Sequence, residues 1–365
     1  MGDIRGLTTC LGLAAAIAIL PLTGCSDPIS SLEGTNAAGA PSAQSYSGDA
    51  LPGGGSIALP DLGMRPYLGF VGGLYPNGSN TMPAGHAARG MAQAALIRPL
   101  DRQGRPSATG KYVLLSIGHS NTTQIFCAVA GNRCNPWSFA GQAAADPTVN
   151  RTALRIINGA RGGQDVTKWL SPTDANYELI RTQALAPAGL SEAQVQIVWL
   201  KTATAFPTTS LPGAAADARI LTQRIGAIAR TLKQRYPNLR QVFISSRSYG
   251  GFTNVGSPEP FAYETGFATK WVVEAQIRQL SGGAIDPRAG DLGQGAAPWL
   301  AWGAYIWAGN ASQPRRDGFF WSRSDFEEDG IHPSTSGETK AGGMLLRFFK
   351  TTPQTSCWFL AGRTC

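Results

Sequence analysis

Two short motifs set far apart along the chain hold the residue types needed to open a carbonyl: Ser120, in Gly118-His119-Ser120-Asn121, and Asp329 with His332, in Asp329-Gly330-Ile331-His332-Pro333. A serine hydroxyl is a poor nucleophile at neutral pH. It reacts when an imidazole takes its proton and a carboxylate holds that imidazole in the right tautomer. The three-residue spacing of Asp329 and His332 lets one turn carry both side chains to the same edge, and Pro333 stiffens the exit. His119 is also a base by type, but residues adjacent in sequence do not readily aim at one another across a sharp turn.

These groups need a scaffold that delivers them to one place. The run Tyr112 to Ile117 reads as a buried strand, and Gly118 after it permits the sharp turn that lifts Ser120 to the strand's carboxyl end. Asn121, Thr122 and Thr123 then open a helix that carries Ile125, Phe126 and Val129. Further strands are expected at Leu154 to Asn158, Gln194 to Leu200 and Gln241 to Ser245. A helix is expected from Ala214 to Tyr236, where Ile220, Leu221, Ile225, Ile228, Ala229 and Leu232 form a one-sided apolar stripe closed by Pro237. A second runs from Tyr263 to Leu280 and stops at Gly282-Gly283. This alternation predicts an α/β fold, a flavodoxin-like three-layer sandwich with a central parallel sheet covered by helices on both faces. Ligands of such sheets sit at the carboxyl ends of the strands.

With these blocks in this order, residues 110 to 350 resemble the SGNH (GDSL-like) hydrolase superfamily, whose first block carries the serine and whose last is Asp-x-x-His-Pro. The resemblance implies that Ser120 is the nucleophile, His332 the base and Asp329 its orienter. The family's second block supplies a backbone N–H to the oxyanion. In Ile156-Ile157-Asn158-Gly159-Ala160-Arg161-Gly162-Gly163-Gln164 the best match is Gly163, to act with the N–H of Ser120. The third block departs from the family, because Lys201 stands where an asparagine is usual. An ammonium also donates hydrogen bonds to an oxyanion, so Lys201 is an expected third donor, although a cation near His332 would oppose the imidazolium.

The function implied is a serine esterase that hydrolyses acyl esters, acetyl first, on carbohydrate, with no metal or organic cofactor. The same triad serves an acyltransferase. A non-catalytic envelope lipoprotein that binds glycans is the reading Lys201 feeds. An α/β-hydrolase lipase is set aside, because its elbow needs glycine where Thr122 stands and its acid usually lies well upstream of its histidine.

The long loop after the Gln241 to Ser245 strand offers Arg247, Tyr249, Glu259, Tyr263 and Glu264 as substrate contacts, with loop-stabilising hydrogen bonds as the alternative. For Trp299, Trp302, Trp307 and Trp321, core packing is favoured over a sugar-stacking wall. His86 reads as a structural residue in a polar loop. Asp325, Glu327 and Glu328 crowd Asp329 but lack its spacing to His332.

The N-terminus has Arg5 and an apolar run from Leu11 to Leu20 that is too short for a comfortable span and ends in Leu22-Thr23-Gly24-Cys25. It looks like a bacterial lipoprotein signal with its lipobox, which implies that residues 1–24 are removed and that lipidated Cys25 holds the protein to a membrane of the cell envelope, Ser26 favouring the outer one. Residues 25–60 are rich in Ser, Gly, Ala and Pro and read as a flexible tether, with one hydrolase-like domain at 61–365. In an exported chain Cys127 with Cys134 and Cys357 with Cys365 would close two short disulfide loops. A zinc site is not expected from their spacing. The net charge is +8, yet charged residues make up only 15% and form no basic run, so no nucleic-acid partner is expected.

Overall fold

The computed structural model describes residues 56–130 and 133–365. The signal segment, Cys25 and the tether up to residue 55 lie outside the described residues. The strands are β1 (Pro66–Tyr67), β2 (Phe70–Val71), β3 (Tyr112–Gly118), β4 (Val129–Ala130), β5 (Arg133–Cys134), β6 (Leu154–Asn158), β7 (Val195–Lys201), β8 (Gln241–Ile244) and β9 (Trp299–Trp302). The α-helices are α1 (Leu59–Leu62), α2 (Ala84–Ala94), α3 (Ser120–Cys127), α4 (Phe139–Ala145), α5 (Ala175–Leu179), α6 (Asp217–Arg235), α7 (Phe261–Leu280), α8 (Thr335–Thr351) and α9 (Pro353–Phe359).

Five strands form one parallel sheet in the order β6-β3-β7-β8-β9. This is the flavodoxin-like order, with the first strand of the sheet inside and the second on its edge. β3, β7, β8 and β9 are buried along their whole length, because helices cover both faces. Alternate side chains divide between two cores. Val113, Leu115, Ile117, Val198 and Leu200 pack on the side of α6 and α7. Tyr112, Leu114, Ile197 and Trp199 pack on the other, with residues of α3, α4, α8 and α9. The expected three-layer α/β sandwich is the fold observed.

The α6 stripe behaves as its periodicity requires: Leu221, Ile225, Ile228, Ala229 and Leu232 are buried. Asp217 in the first turn and Lys233 and Arg235 in the last complement the helix dipole. β9 was not expected. Its four residues are too few for a periodic pattern to declare a strand, and they become one by pairing with β8 in register from Gln241–Trp299 to Ile244–Trp302. Before residue 61, Leu59 is buried, and its N–H donates to the Tyr305 hydroxyl at 3.0 Å.

Both expected disulfides are present, Cys127–Cys134 and Cys357–Cys365, each with Cα atoms 4.8 Å apart. The first ties the end of α3 to the β4–β5 hairpin, so the helix that starts with Ser120 is anchored at its far end. Among the described residues, no helix is long and apolar enough to cross a membrane.

Candidate active site

β3 ends at Gly118, which is in register with Lys201 at the end of β7. A Cβ on Gly118 would lie 2.0 Å from the Lys201 carbonyl oxygen, so only glycine lets the two strand ends close while the chain turns into α3. Two hydrogen bonds hold this turn. Thr122 Oγ1 donates to the Lys201 carbonyl at 2.5 Å, and the Arg161 N–H donates to the Gly118 carbonyl at 3.0 Å. The second brings the glycine-bearing loop after β6 beside the serine. Ser120 is the first residue of α3, where backbone N–H groups have no acceptor in the helix and the positive end of the dipole faces outward.

The Asp329–His332 segment arrives as a tight turn. The Glu327 N–H donates to the His332 carbonyl at 2.8 Å and the Gly330 N–H to the Glu327 carbonyl at 2.9 Å. Gly330 takes φ +67°, and a Cβ there would meet the Phe252 carbonyl oxygen at 2.1 Å. Asp329 Oδ1 accepts the N–H groups of Ile331 and His332 at 2.8 and 2.9 Å. Its other oxygen, Oδ2, accepts from His332 Nδ1 at 2.5 Å. Ser120 Oγ donates to His332 Nε2 at 2.8 Å. Partial burial pushes the Asp329 carboxyl up, but the His332 ring and the two N–H donors outweigh it and hold the group below the usual carboxylate range. Asp329 is therefore ionised at neutral pH, as an orienter of the imidazole must be.

A wide-mouthed cavity of about 420 Å³ opens over this contact and is lined by Ser120, Asp329 and His332 together with Thr123, Gln124, Gly162 and Glu327. The last four were not anticipated. Thr123 and Gln124 follow Ser120 by three and four residues and so share its helical face, a signal the sequence already held. From the second block it is Gly162 that lines the cavity, next to Gly163, whose φ is +70°. Among the described residues no group of three or more His, Cys, Asp or Glu is placed to hold a metal ion.

Other expected site residues lie elsewhere. Lys201, the expected oxyanion donor, is fully buried and is not among the residues that line the cavity. The reason is strand alternation: Leu200 faces the α6–α7 core, so Lys201 faces the opposite side with Trp199, which stacks on Phe126 of α3. Among the described residues, Lys201 Nζ has no hydrogen-bond partner. Burial, then the charge of Arg247, lowers its proton affinity far below that of an ordinary lysine. His119 is buried beside them, its Nε2 accepting from Arg247 at 3.4 Å. Burial and then the charges of Arg247, Lys201 and His332 keep the His119 ring neutral.

The five expected substrate contacts do not line the Ser120 cavity. Arg247 is buried, and burial brings its guanidinium down to about 10 against the opposing charge of Glu259. Glu259 accepts from the Gly250 N–H, the Tyr263 N–H and Trp307 Nε1, all at 2.8–2.9 Å. Glu264 accepts from the Leu211 N–H and the Tyr67 hydroxyl. Tyr263 donates to the Ile57 carbonyl, and Tyr249 packs its ring on Phe252 and Trp307. A long loop with polar side chains folds inward when those groups find hydrogen-bond partners, and here Glu259, Tyr263 and Glu264 find them in backbone groups and in residues of other segments.

The four tryptophans are core residues, each at most 4% exposed. His86 lies on α2 rather than in a loop, and its Nε2 bonds the Leu300 carbonyl at 2.8 Å. Asp325 is buried, accepting from Lys340 and Ser336 at 2.6 Å, and so supports the turn without touching the cavity.

Neither a protein-family model nor a curated protein matches the sequence. Solved structures similar to this one include a protein from Slackia heliotrinireducens described as an SGNH hydrolase, 16% identical over 66% of this chain and 99% of its own, at a TM-score of 0.33. An extracellular lipase from Streptomyces rimosus is 13% identical over 66% of this chain and 99% of its own, with the same TM-score of 0.33. A carbohydrate esterase family 2 enzyme from Corynascus thermopiles is 14% identical over 66% of each chain, at 0.34. The chain is a three-layer α/β sandwich whose parallel sheet presents, at the turn after its first strand, a serine on which the Asp-x-x-His segment closes.

Proposed function

We propose that this protein is a serine esterase that removes short acyl groups, acetyl first, from a polar carrier such as carbohydrate. The observation that carries the reading is the bridge made by His332 between Ser120 Oγ, at 2.8 Å, and Asp329 Oδ2, at 2.5 Å. In this reaction Ser120 Oγ attacks the ester carbonyl while its proton passes to His332 Nε2. Asp329 stabilises the imidazolium. The N–H groups of Ser120 and of the Gly162–Gly163 turn receive the oxyanion, helped by the positive end of α3. The carrier alkoxide leaves with the proton from His332, and water activated by the same ring releases the acid.

The character of the cavity supports the substrate class. Its lining is Ser, Thr, Gln, Gly, Glu, Asp and His, with no aliphatic or aromatic side chain. The cavity is open rather than enclosed, so it offers no deep channel for a long acyl chain and suits a small one on a hydrated carrier. The wide mouth also favours transfer to a sugar hydroxyl as a second reading.

We further propose that lipidated Cys25 holds the domain at the cell envelope. The activity is tested with nitrophenyl acetate, butyrate and octanoate. Acetate should be hydrolysed fastest, and Ser120→Ala should lose both hydrolysis and labelling by a fluorophosphonate. Labelling of another serine in that variant would reject the assignment.

A further inference from the structure

A second cavity, of about 200 Å³, opens between α6, α7 and β2 and shares no lining residue with the Ser120 cavity. Three guanidinium groups reach it: Arg219 from α6, Arg278 from the end of α7 and Arg288 from the loop that follows. Two carboxylates line it as well, and each is already matched. Glu274 pairs with Lys270 at 2.7 Å and Asp286 with Arg278 at 2.7 Å. Among the described residues, Arg219 and Arg288 pair with no carboxylate. Burial, and then the like charge of Arg288, lowers the proton affinity of Arg219, so the two cations feel one another. Unpaired like charges on one small cavity are unfavourable until an anion joins them.

The Arg219 side chain and the backbone of Arg288 are each held in place beside the cavity. The Arg219 guanidinium lies over the rings of Phe70 and Trp271, at 5.2 and 5.7 Å, and its Nε donates to the Gly213 carbonyl at 3.1 Å. Arg288 is rooted in a fixed turn: Asp286 Oδ1 accepts the N–H groups of Arg288 and Ala289 at 2.9 Å, and Arg230 donates to the Ala289 carbonyl at 2.7 Å. A guanidinium fork matches carboxylate and phosphate oxygens in pairs. A bare anion, however, would be repelled by Glu274 and Asp286. A ligand that presents hydroxyls to those two acceptors turns the repulsion into hydrogen bonds. The volume is below the roughly 300–1,000 Å³ of sites for drug-sized molecules and fits one sugar ring.

We propose that this cavity binds an anionic sugar unit, its carboxylate or phosphate between Arg219 and Arg288 and its hydroxyls on Glu274 and Asp286. The site is separate from Ser120, so it can hold an acidic polysaccharide whichever reaction Ser120 performs. The test is calorimetric titration of the full chain with glucuronate, glucose 6-phosphate, glucose, acetate and inorganic phosphate at low salt. Glucuronate or glucose 6-phosphate should bind at least about tenfold more tightly than glucose and than its own bare anion, and the tighter of the two identifies the charged group. Arg219→Gln and Arg288→Gln should each weaken that binding by about tenfold or more. Arg288 is exposed, so its variant keeps the fold, checked by circular dichroism, and fluorophosphonate labelling of Ser120 should be unchanged in it. Binding that survives in Arg288→Gln, equal binding of the bare anions, or no binding of either charged sugar overturns the proposal.

Discussion

Asn121 and Ile331 are joined across the site: Asn121 Nδ2 donates to the Ile331 carbonyl at 2.6 Å. The donor follows Ser120 and the acceptor precedes His332. One hydrogen bond thus sets the distance between the helix that carries the hydroxyl and the turn that carries the imidazole. Asn121 is 1% exposed, so water does not readily replace it.

Removing this clamp should act on rate more than on binding. For Asn121→Ala we expect kcat on nitrophenyl acetate to fall by roughly 10- to 100-fold with KM changed much less, because small misplacements of reacting groups are costly. Asn121→Asp should not rescue, since a carboxylate cannot donate to a carbonyl. A wild-type kcat in a folded Asn121→Ala protein would mean that the turn is held by other contacts alone.

Lys201 provides the opposite case, a charge-bearing side chain at the strand end paired with Gly118 yet, among the described residues, without a hydrogen-bond partner. Leaving a buried amine unsatisfied is destabilising, so Lys201→Met should keep or raise the thermal midpoint and leave kcat within about threefold. A fall of roughly 10² to 10³ in kcat would instead place the ammonium at the oxyanion.

Glu264 predicts a pH dependence of stability. Burial raises its carboxyl from 4.5 to about 8, against the hydrogen bonds from Leu211 and Tyr67. The native state then holds a proton that the unfolded chain has released between these two values. Its contribution is fully present below pH 4.5 and is lost as pH rises toward about 8. Glu264→Gln should flatten the fall in urea-unfolding free energy across that window. An unchanged slope would show that Glu264 is already ionised in the folded protein.

Lipidation of Cys25 is tested in cells. Globomycin should leave an uncleaved precursor, and Cys25→Ser should never gain the lipid. Release of soluble mature protein under globomycin would reject the anchor.

Chain-local information was enough for several features. Ser120, Asp329 and His332 were legible because each lies in a short turn whose glycine and spacing constrain it whatever surrounds it. The β3 and β7 runs and the α6 stripe were legible because burial on two faces or on one leaves a periodic trace. The two disulfides were legible because each closes a short loop. Tertiary structure alone decided where the remaining polar side chains point. Lys201 follows directly after Leu200 at the strand end, and the covering of both faces of the sheet turned it beneath α3 instead of toward the cavity. Glu259, Tyr263 and Glu264 looked like rim residues, but their partners Trp307, Ile57, Leu211 and Tyr67 come from segments far away in sequence. Composition shows that such groups must be satisfied. Which distant donor or acceptor satisfies them depends on how the helices and loops pack around the sheet, and no local spacing records that.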